Sequence, residues 1–215
     1  GEGGEKFKKG QRVFGRTAGG AYAETVRMMA GGTLALPDSM SHAQGAGVVV
    51  PFLTSWNTLV LKGQVGPGET VLIQGGAGGV GMTTIQLAKR MGCRVFATVS
   101  SKEKADFCRE LGADEVINYK EEDFVERCNE LTGGRGLDVI VELVACDNLD
   151  KDFDALRVGG RLILVGTGTG KGPMAQFRVP AAMVKDAHII GLPGLDRGPQ
   201  LSEATVRLTA LLSEG

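Results

Sequence analysis

Five glycines in seven positions, Gly75, Gly76, Gly78, Gly79 and Gly81, follow the apolar run Val71-Leu72-Ile73 and open a helical period. Within them Gly76, Gly78 and Gly81 fit G-x-G-x-x-G, the phosphate-binding turn of a dinucleotide fold. The spacing has a physical reason. One glycine permits the tight turn, one lets a diphosphate reach bare backbone, and one lets the helix sit close on the strand. The helix N-terminus then offers N–H groups without intrahelical partners and about +0.5 charge to the anion. About 20 residues after the first glycine, an NAD-binding chain carries Asp or Glu for the ribose hydroxyls. Counting from Gly76 reaches the end of Arg94-Val-Phe-Ala-Thr-Val99, followed by Ser100, Ser101, Lys102, Glu103 and Lys104. No carboxylate stands at the strand end. Two hydroxyls and two ammonium groups suit a 2′-phosphate through charge-assisted hydrogen bonds, which favours NADP over NAD. Ser100-x-x-Glu103 also fits a capping box that starts the next helix, a role compatible with facing an anion.

Other chemistry is sparse. No Ser/His/Asp set, no pair of carboxylates in an evident cleft and no metal-ligand spacing appears, so no catalytic side chain is assigned. Glu142, inside the apolar run 137–144, reads as a partly buried carboxylate paired locally. Tyr119 ends a strand and faces the cofactor side if strand ends line the crevice. Cys93, Cys108, Cys128 and Cys146 form neither a zinc pattern nor a disulfide framework. They read as reduced, half-buried thiols, and His42 and His188 as core or surface residues.

Positioning the glycine turn requires strands and helices in alternation. Strands are expected over 69–74, 94–99, 115–119, 137–144, 161–166 and 187–192, and helices over 79–91, 102–111, 122–132, 149–157, 174–185 and 201–212. Such alternation implies right-handed βαβ crossovers and an α/β fold with a doubly wound, six-stranded parallel sheet. The first fifty residues differ. Gln11–Phe14, Tyr22–Arg27 and Thr33–Leu36 are short strand-like runs punctuated by Gly and Pro, suggesting part of a β-barrel. Pro51–Gly63 reads as a connecting helix with Phe52, Trp56, Leu59 and Val60 turned inward.

Glycine, at 34 of 215 residues, is about twice its average usage, as many tight strand–helix turns require. A net charge of −1 argues against nucleic acid or a membrane surface as the main partner. Lys6, Lys8, Lys9, Arg12 and Arg16 read as a solvated face. No apolar stretch approaches ~18 residues, and no signal peptide is visible, so a cytoplasmic location is expected.

Phe7-Lys8-x-Gly10-x-Arg12-Val13, Gly20-Ala-Tyr-Ala-Glu24, Ala46 to Trp56, Gly75-Gly-Ala-Gly-Gly-Val-Gly81, Leu111-Gly-Ala-Asp-Glu-Val-Ile-Asn-Tyr119 and Gly159-Gly-Arg-Leu-Ile-Leu-Val-Gly166 together carry a resemblance. The chain resembles the zinc-free, zeta-crystallin-like quinone oxidoreductases of the medium-chain dehydrogenase/reductase superfamily. That resemblance implies part of a GroES-like substrate domain over 1–50, a Rossmann domain over 51–195, and over 196–215 a helix starting the return to the substrate domain. It implies NADPH as cofactor, with Thr54 at the nicotinamide end and Ala77, Gly78, Gly79 and Val80 on the pyrophosphate. Ser100 and Lys104 would meet the 2′-phosphate, and Tyr119 the adenosine ribose. Asn148, Val165, Gly166, Thr167, Leu192, Pro193 and Gly194 would line the nicotinamide slot. The implied activity is zinc-independent hydride transfer to a small quinone or other α,β-unsaturated carbonyl. The alternatives are an enoyl-thioester reductase and an NADPH-binding protein with a structural or RNA-associated role. Family members extend further at both ends, so a fragment of a longer protein is expected. Ala187-His-Ile-Ile-Gly191 would be an apolar edge strand open to a twofold mate, giving a homodimer or homotetramer.

Overall fold

The structure, a computed structural model, describes residues 5–168, 172–192 and 200–214, with the side chains of 200–202, 213 and 214 left aside. The chain divides into two units, Gly1–Leu53 with Gly198–Gly215, and Thr54–Arg197.

In the first unit β1 (Val13–Gly15) pairs antiparallel with β2 (Thr33–Ala35), and Phe14 lies opposite Leu34. Phe14 and Leu36 are buried beside this pair. The strand expected over Tyr22–Arg27 is absent: the segment is bends and irregular chain, and Tyr22 is fully exposed. A strand-like pattern yields a strand only where a neighbour completes its hydrogen-bond ladder; among the described residues none pairs with it. Arg12 departs from the solvated basic face, donating to the carbonyls of Pro37 and Met40.

The helix expected from Pro51 starts nine residues earlier, as α1 (His42–Trp56), with Pro51 inside it. Its start is a capping box absent from the sequence-based expectation: Ser41 N–H donates to Gln44 Oε1 at 2.8 Å, and Gln44 N–H to Ser41 Oγ at 3.2 Å. Helical winding then continues as a π-helical segment, Asn57–Lys62. Phe52 and Leu59 are buried as expected, whereas Trp56 and Val60 are half-buried.

The second unit alternates β3 (Thr70–Ile73), α2 (Gly79–Arg90), β4 (Arg94–Val99), α3 (Lys102–Glu110), β5 (Glu115–Asn118), α4 (Phe124–Leu131) and β6 (Leu137–Glu142). It continues through α5 (Ala145–Ala155), β7 (Leu156–Leu164), α6 (Val179–Val184) and β8 (His188–Gly191). The six strands β3 to β8 form one parallel sheet in the order β5-β4-β3-β6-β7-β8. The architecture is the expected doubly wound α/β sheet.

Strand periodicity explains its two covered faces. Val71, Ile73, Val95, Ala97, Val139, Val141 and Ile163 point to one side, where Ile85 and Ala88 of α2 and Ala105 and Cys108 of α3 pack. The alternate residues Leu72, Phe96, Ile117, Ile140 and Leu162 meet Phe124 and Cys128 of α4 and Leu149 and Phe153 of α5. Three thiols are therefore fully buried rather than half-buried, and only Cys146 is intermediate. Burial pushes the Cys128 thiol up to about 12, which leaves it unreactive at neutral pH.

Element ends differ where tertiary partners intervene. The strand expected from 161 begins at Leu156, because Leu156 pairs with Leu137 before a register shift admits the turn at Gly159, φ +70°. The helix expected over 174–185 is reduced to α6. In the first unit, α7 (Gln200–Glu214) buries Ala204 and Leu208 of the expected apolar face. Among the described residues no helix is long and apolar enough to cross a membrane.

Candidate functional site

The sheet order reverses between β3 and β6, since the chain runs outward through β4 and β5 before returning to β6. A crevice therefore opens beyond the carboxyl ends of β3 and β6, where a doubly wound sheet binds its ligand. The glycine turn stands at that point. Gly75, at φ +80°, makes the tight turn, one residue ahead of the fingerprint. Gly76 serves packing: a Cβ there would lie 2.8 Å from Ala97 Cβ and 3.2 Å from Cys108 Sγ. Gly81 brings α2 onto the turn, because a Cβ there would press on Gly75 O and lie 2.6 Å from Gly76 O. Gly78 is the exposed N-cap of α2, and no side chain caps that helix start. Its first-turn amides, at Gly79 and Val80, therefore have no side-chain cap, the state in which a helix N-terminus can receive an anion.

Ala77 is half-buried against the core and Gly79 is exposed. At the end of β4 stand Ser100, half-buried, and Lys104, exposed, joined by Lys104 Nζ donating to Ser100 Oγ at 3.2 Å. The cap of α3 is Ser101 and not Ser100: Ser101 Oγ accepts from Lys104 N–H at 3.3 Å. Ser101 adopts the extended backbone that a cap requires, so the Ser100 hydroxyl is left to the Lys104 ammonium. Tyr119, after β5, is 54% exposed with its N–H on Val99 O at 3.1 Å. No carboxylate stands at the end of β4.

Asn148 lies in the first turns of α5, half-buried and near enough to Glu142 to lower its carboxyl against the effect of burial. Val165, Gly166 and Thr167 follow β7; the Val165 and Gly166 N–H groups donate to Glu142 O at 2.9 and 3.1 Å, and Thr167 bridges to Val144. Leu192 extends β8 with its N–H on Leu164 O at 2.9 Å. Pro193 and Gly194 lie outside the described residues. Thr54 is buried near the end of α1, and its carbonyl accepts from Thr58 Oγ1 at 2.7 Å. All described positions except Thr54 thus gather along the carboxyl edge of one sheet. Their residue types fit a dinucleotide, with open amides for the diphosphate and a serine–lysine corner for one further phosphate.

Four residues near the site escaped the sequence reading. Ser55, beside Thr54, is fully buried and bonds to Thr84 Oγ1 at 2.8 Å and Val80 O at 3.3 Å, which pins the end of α1 to the first turn of α2. Gln74, Thr98 and Asp152 form a buried polar chain under the turn. A glutamine between an apolar strand and five glycines was a legible signal, because a polar side chain there needs a buried partner. Glu142 is also not partly buried but wholly so, 0% exposed, and burial followed by the charge of Asp152 pushes its carboxyl up to about 10. Its local partner is Val144 N–H. Among the described residues no group of three His, Cys, Asp or Glu side chains is placed to hold a metal ion.

Residues 79–210 match the family model described as zinc-binding dehydrogenase. The chain is 36% identical over 193 residues to the quinone oxidoreductase of Rattus norvegicus, covering 89% of this chain and 57% of that one. It is 31% identical over 220 residues to quinone oxidoreductase 1 of Escherichia coli strain K12, covering the whole chain and 67% of the relative. It superposes on the crystal structure of Escherichia coli quinone oxidoreductase complexed with NADPH at a TM-score of 0.82 and 30% identity, over 95% of this chain and 64% of that one. The chain thus spans little more than half the length of the mammalian relative it matches.

Proposed function

Because this chain belongs to the zinc-binding dehydrogenase family, in the zinc-free quinone oxidoreductase branch of the medium-chain dehydrogenase/reductases, we propose that it moves hydride from NADPH to a quinone or another α,β-unsaturated carbonyl, without zinc. The observation that carries this reading is the Ser100–Lys104 pair at the end of β4, where an NAD site would place a carboxylate. Bound NADPH supplies the hydride. The chain's own residues hold it: the amides from Ala77 to Val80 bind the diphosphate, Ser100 and Lys104 the 2′-phosphate, and Tyr119 flanks the adenosine ribose. Thr54, Asn148, Val165, Gly166, Thr167, Leu192, Pro193 and Gly194 set the nicotinamide end against the acceptor. No side-chain acid is assigned, so the rate depends on holding donor and acceptor about 3–3.5 Å apart and in line.

Titrating NADPH and NADH into wild type and Lys104→Ala, then adding a simple ortho-quinone, tests this. The variant loses about tenfold in NADPH affinity, the equivalent of one hydrogen bond to a charged group, while its NADH affinity is unchanged. Wild type consumes NADPH when the quinone is added. Equal affinities for both cofactors, untouched by the substitution, remove the NADP assignment; tight NADPH binding without turnover removes the reductase.

The same reading makes the protein an oligomer. β8 is an edge of the sheet, it carries no lysine, and Ile189 is 42% exposed on it. A second copy pairs along that edge about a twofold axis. Light scattering then gives at least twice the monomer mass, and a monomeric mass overturns the pairing.

A further inference from the structure

Beneath the glycine turn runs a hydrogen-bonded chain with no part in the roles assigned above. The Thr98 hydroxyl accepts from Gly75 N–H at 3.0 Å and donates to Gln74 Oε1 at 2.8 Å. Gln74 Nε2 donates to Asp152 Oδ1 at 3.0 Å. Asp152 in turn lies against Glu142, close enough that each carboxyl shifts the other. All four side chains are buried, and each residue is at most 2% exposed. Glu142 is tied to the segment after β7 as well: its side chain accepts from Val144 N–H, and its backbone carbonyl from the amides of Val165 and Gly166.

Two ionised carboxylates have only acceptors, so a hydrogen bond between them needs one proton. Among the described residues neither Glu142 Oε2 nor Asp152 Oδ2 meets an N–H or O–H donor, and one proton held between them satisfies both. Burial and mutual repulsion act the same way, since two unpaired charges in an apolar interior cost far more than one shared. The largest influences on the two carboxyls are burial and their immediate neighbours, none of them a lysine or an arginine. The titratable group facing them from α4 is Cys128, itself a neutral thiol, and on α5 Asp150 and Lys151 pair outward with Arg178 and Asp123. The chain is also directional. Asp152 accepts from the Gln74 amide, which turns the Gln74 carbonyl to Thr98, whose hydroxyl hydrogen is then committed and whose lone pair faces Gly75 N–H.

We propose that Glu142 and Asp152 share one proton and that this pair, through Gln74 and Thr98, holds the Gly75–Gly78 turn in its diphosphate-binding shape. The four are positioning residues for the cofactor, and the proposal rests on reading that turn as a dinucleotide site. Glu142→Gln replaces the shared proton by a permanent amide donor toward Asp152. Gln74→Leu cuts the chain.

The test measures the Kd of NADPH for wild type and both variants from about pH 7 to about pH 10, with circular dichroism to follow the fold. Gln74→Leu weakens binding about tenfold at neutral pH with an unchanged spectrum. Wild type weakens progressively as pH rises toward the range where Glu142 loses its proton, and Glu142→Gln weakens less over the same range. Every other group of the chain is common to both, so the difference between the two profiles belongs to the pair. Identical pH profiles for wild type and Glu142→Gln overturn the proposal. A folded Gln74→Leu that binds as wild type does overturns the relay while leaving the dinucleotide site standing. A wild-type chain that binds no NADPH overturns both. Should Gln74→Leu not fold, the two pH profiles decide.

Discussion

Asp138→Ala lowers the unfolding free energy by about 3 kcal/mol, a fall in Tm of roughly 6–12 °C for a chain of this size. Asp138 lies at the start of β6, on the edge of the sheet opposite the cofactor crevice, and is 4% exposed. Its two oxygens accept from Thr70 N–H at 2.8 Å, from both terminal nitrogens of Arg135 at 2.9 and 2.7 Å, and from Arg157 Nε at 2.5 Å. One carboxylate therefore joins the first residue of β3, the loop before β6 and the start of β7. Removing it leaves the Thr70 amide without an acceptor and two guanidinium groups without their shared counter-charge. Both arginines reach solvent, which keeps the loss at the lower end for a broken buried ion pair. Thermal unfolding followed by circular dichroism measures it, and a change under about 1 kcal/mol would mean that these three segments hold together without the carboxylate.

The same group sets an acid limit. Burial alone would push the Asp138 carboxyl up, yet the hydrogen bonds from Arg135, Thr70 and Arg157 outweigh it and bring it down to about 2. A depressed folded value means that the unfolded chain binds the proton first as pH falls. Asp138 thus contributes its full stabilisation above about pH 4, the ordinary carboxylate value, and loses it as pH falls toward 2. Wild type and Asp138→Ala converge in stability across that interval.

The second large effect falls on the cofactor. Gly81→Ala loses NADPH binding by at least about 100-fold and destabilises the chain by about 1–3 kcal/mol, the usual range for overpacking. Its methyl group would occupy the space of two carbonyl oxygens, Gly75 O and Gly76 O, both backbone atoms with no rotamer to yield. The first turn of α2 has to lift from the glycine turn. The Gly79 and Val80 amides then no longer converge on one diphosphate, and their contribution as a helix terminus is lost with them. Gly78→Ala is the comparison. At Gly78 a Cβ meets only Gly75 O, at 3.5 Å, and its φ of −80° suits any residue. That variant keeps its Tm and weakens NADPH, because the methyl stands over the bare backbone that the diphosphate approaches. Isothermal titration with NADPH beside thermal unfolding separates the two cases. A Gly81→Ala chain that binds NADPH as wild type does would show that α2 need not sit so close.

Much of the site was legible because its signals are local. The β3–turn–α2 passage announces itself through an apolar run, glycine spacing and helical period within twenty-odd residues, and α2 lies within one residue of its expected bounds. Counting from the first glycine of the fingerprint reaches the segment from Ser100 to Lys104, and the family resemblance singles out Ser100 and Lys104 within it. The misses share one origin. Ser100 and Ser101 both satisfy the pattern of a cap, and only the backbone angles show that Ser101 takes the role. Tyr22–Arg27 has strand-like residues but no pairing strand among the described residues, and Leu156 enters β7 because Leu137 stands ready to pair with it.

Periodicities of two and of 3.6 residues, with glycine at fixed offsets, were enough to specify the α/β alternation, the parallel sheet and the edge at which a dinucleotide would lie, since each is a short-range property of the chain. Protonation and hydrogen-bond direction are not short-range. Gln74 meets Asp152 across 78 positions and Thr98 across 24, and Glu142 keeps its proton because the assembled sheet and α5 exclude water around it. Those groups become partners, and acquire their charge states, only once strands far apart in the chain lie side by side.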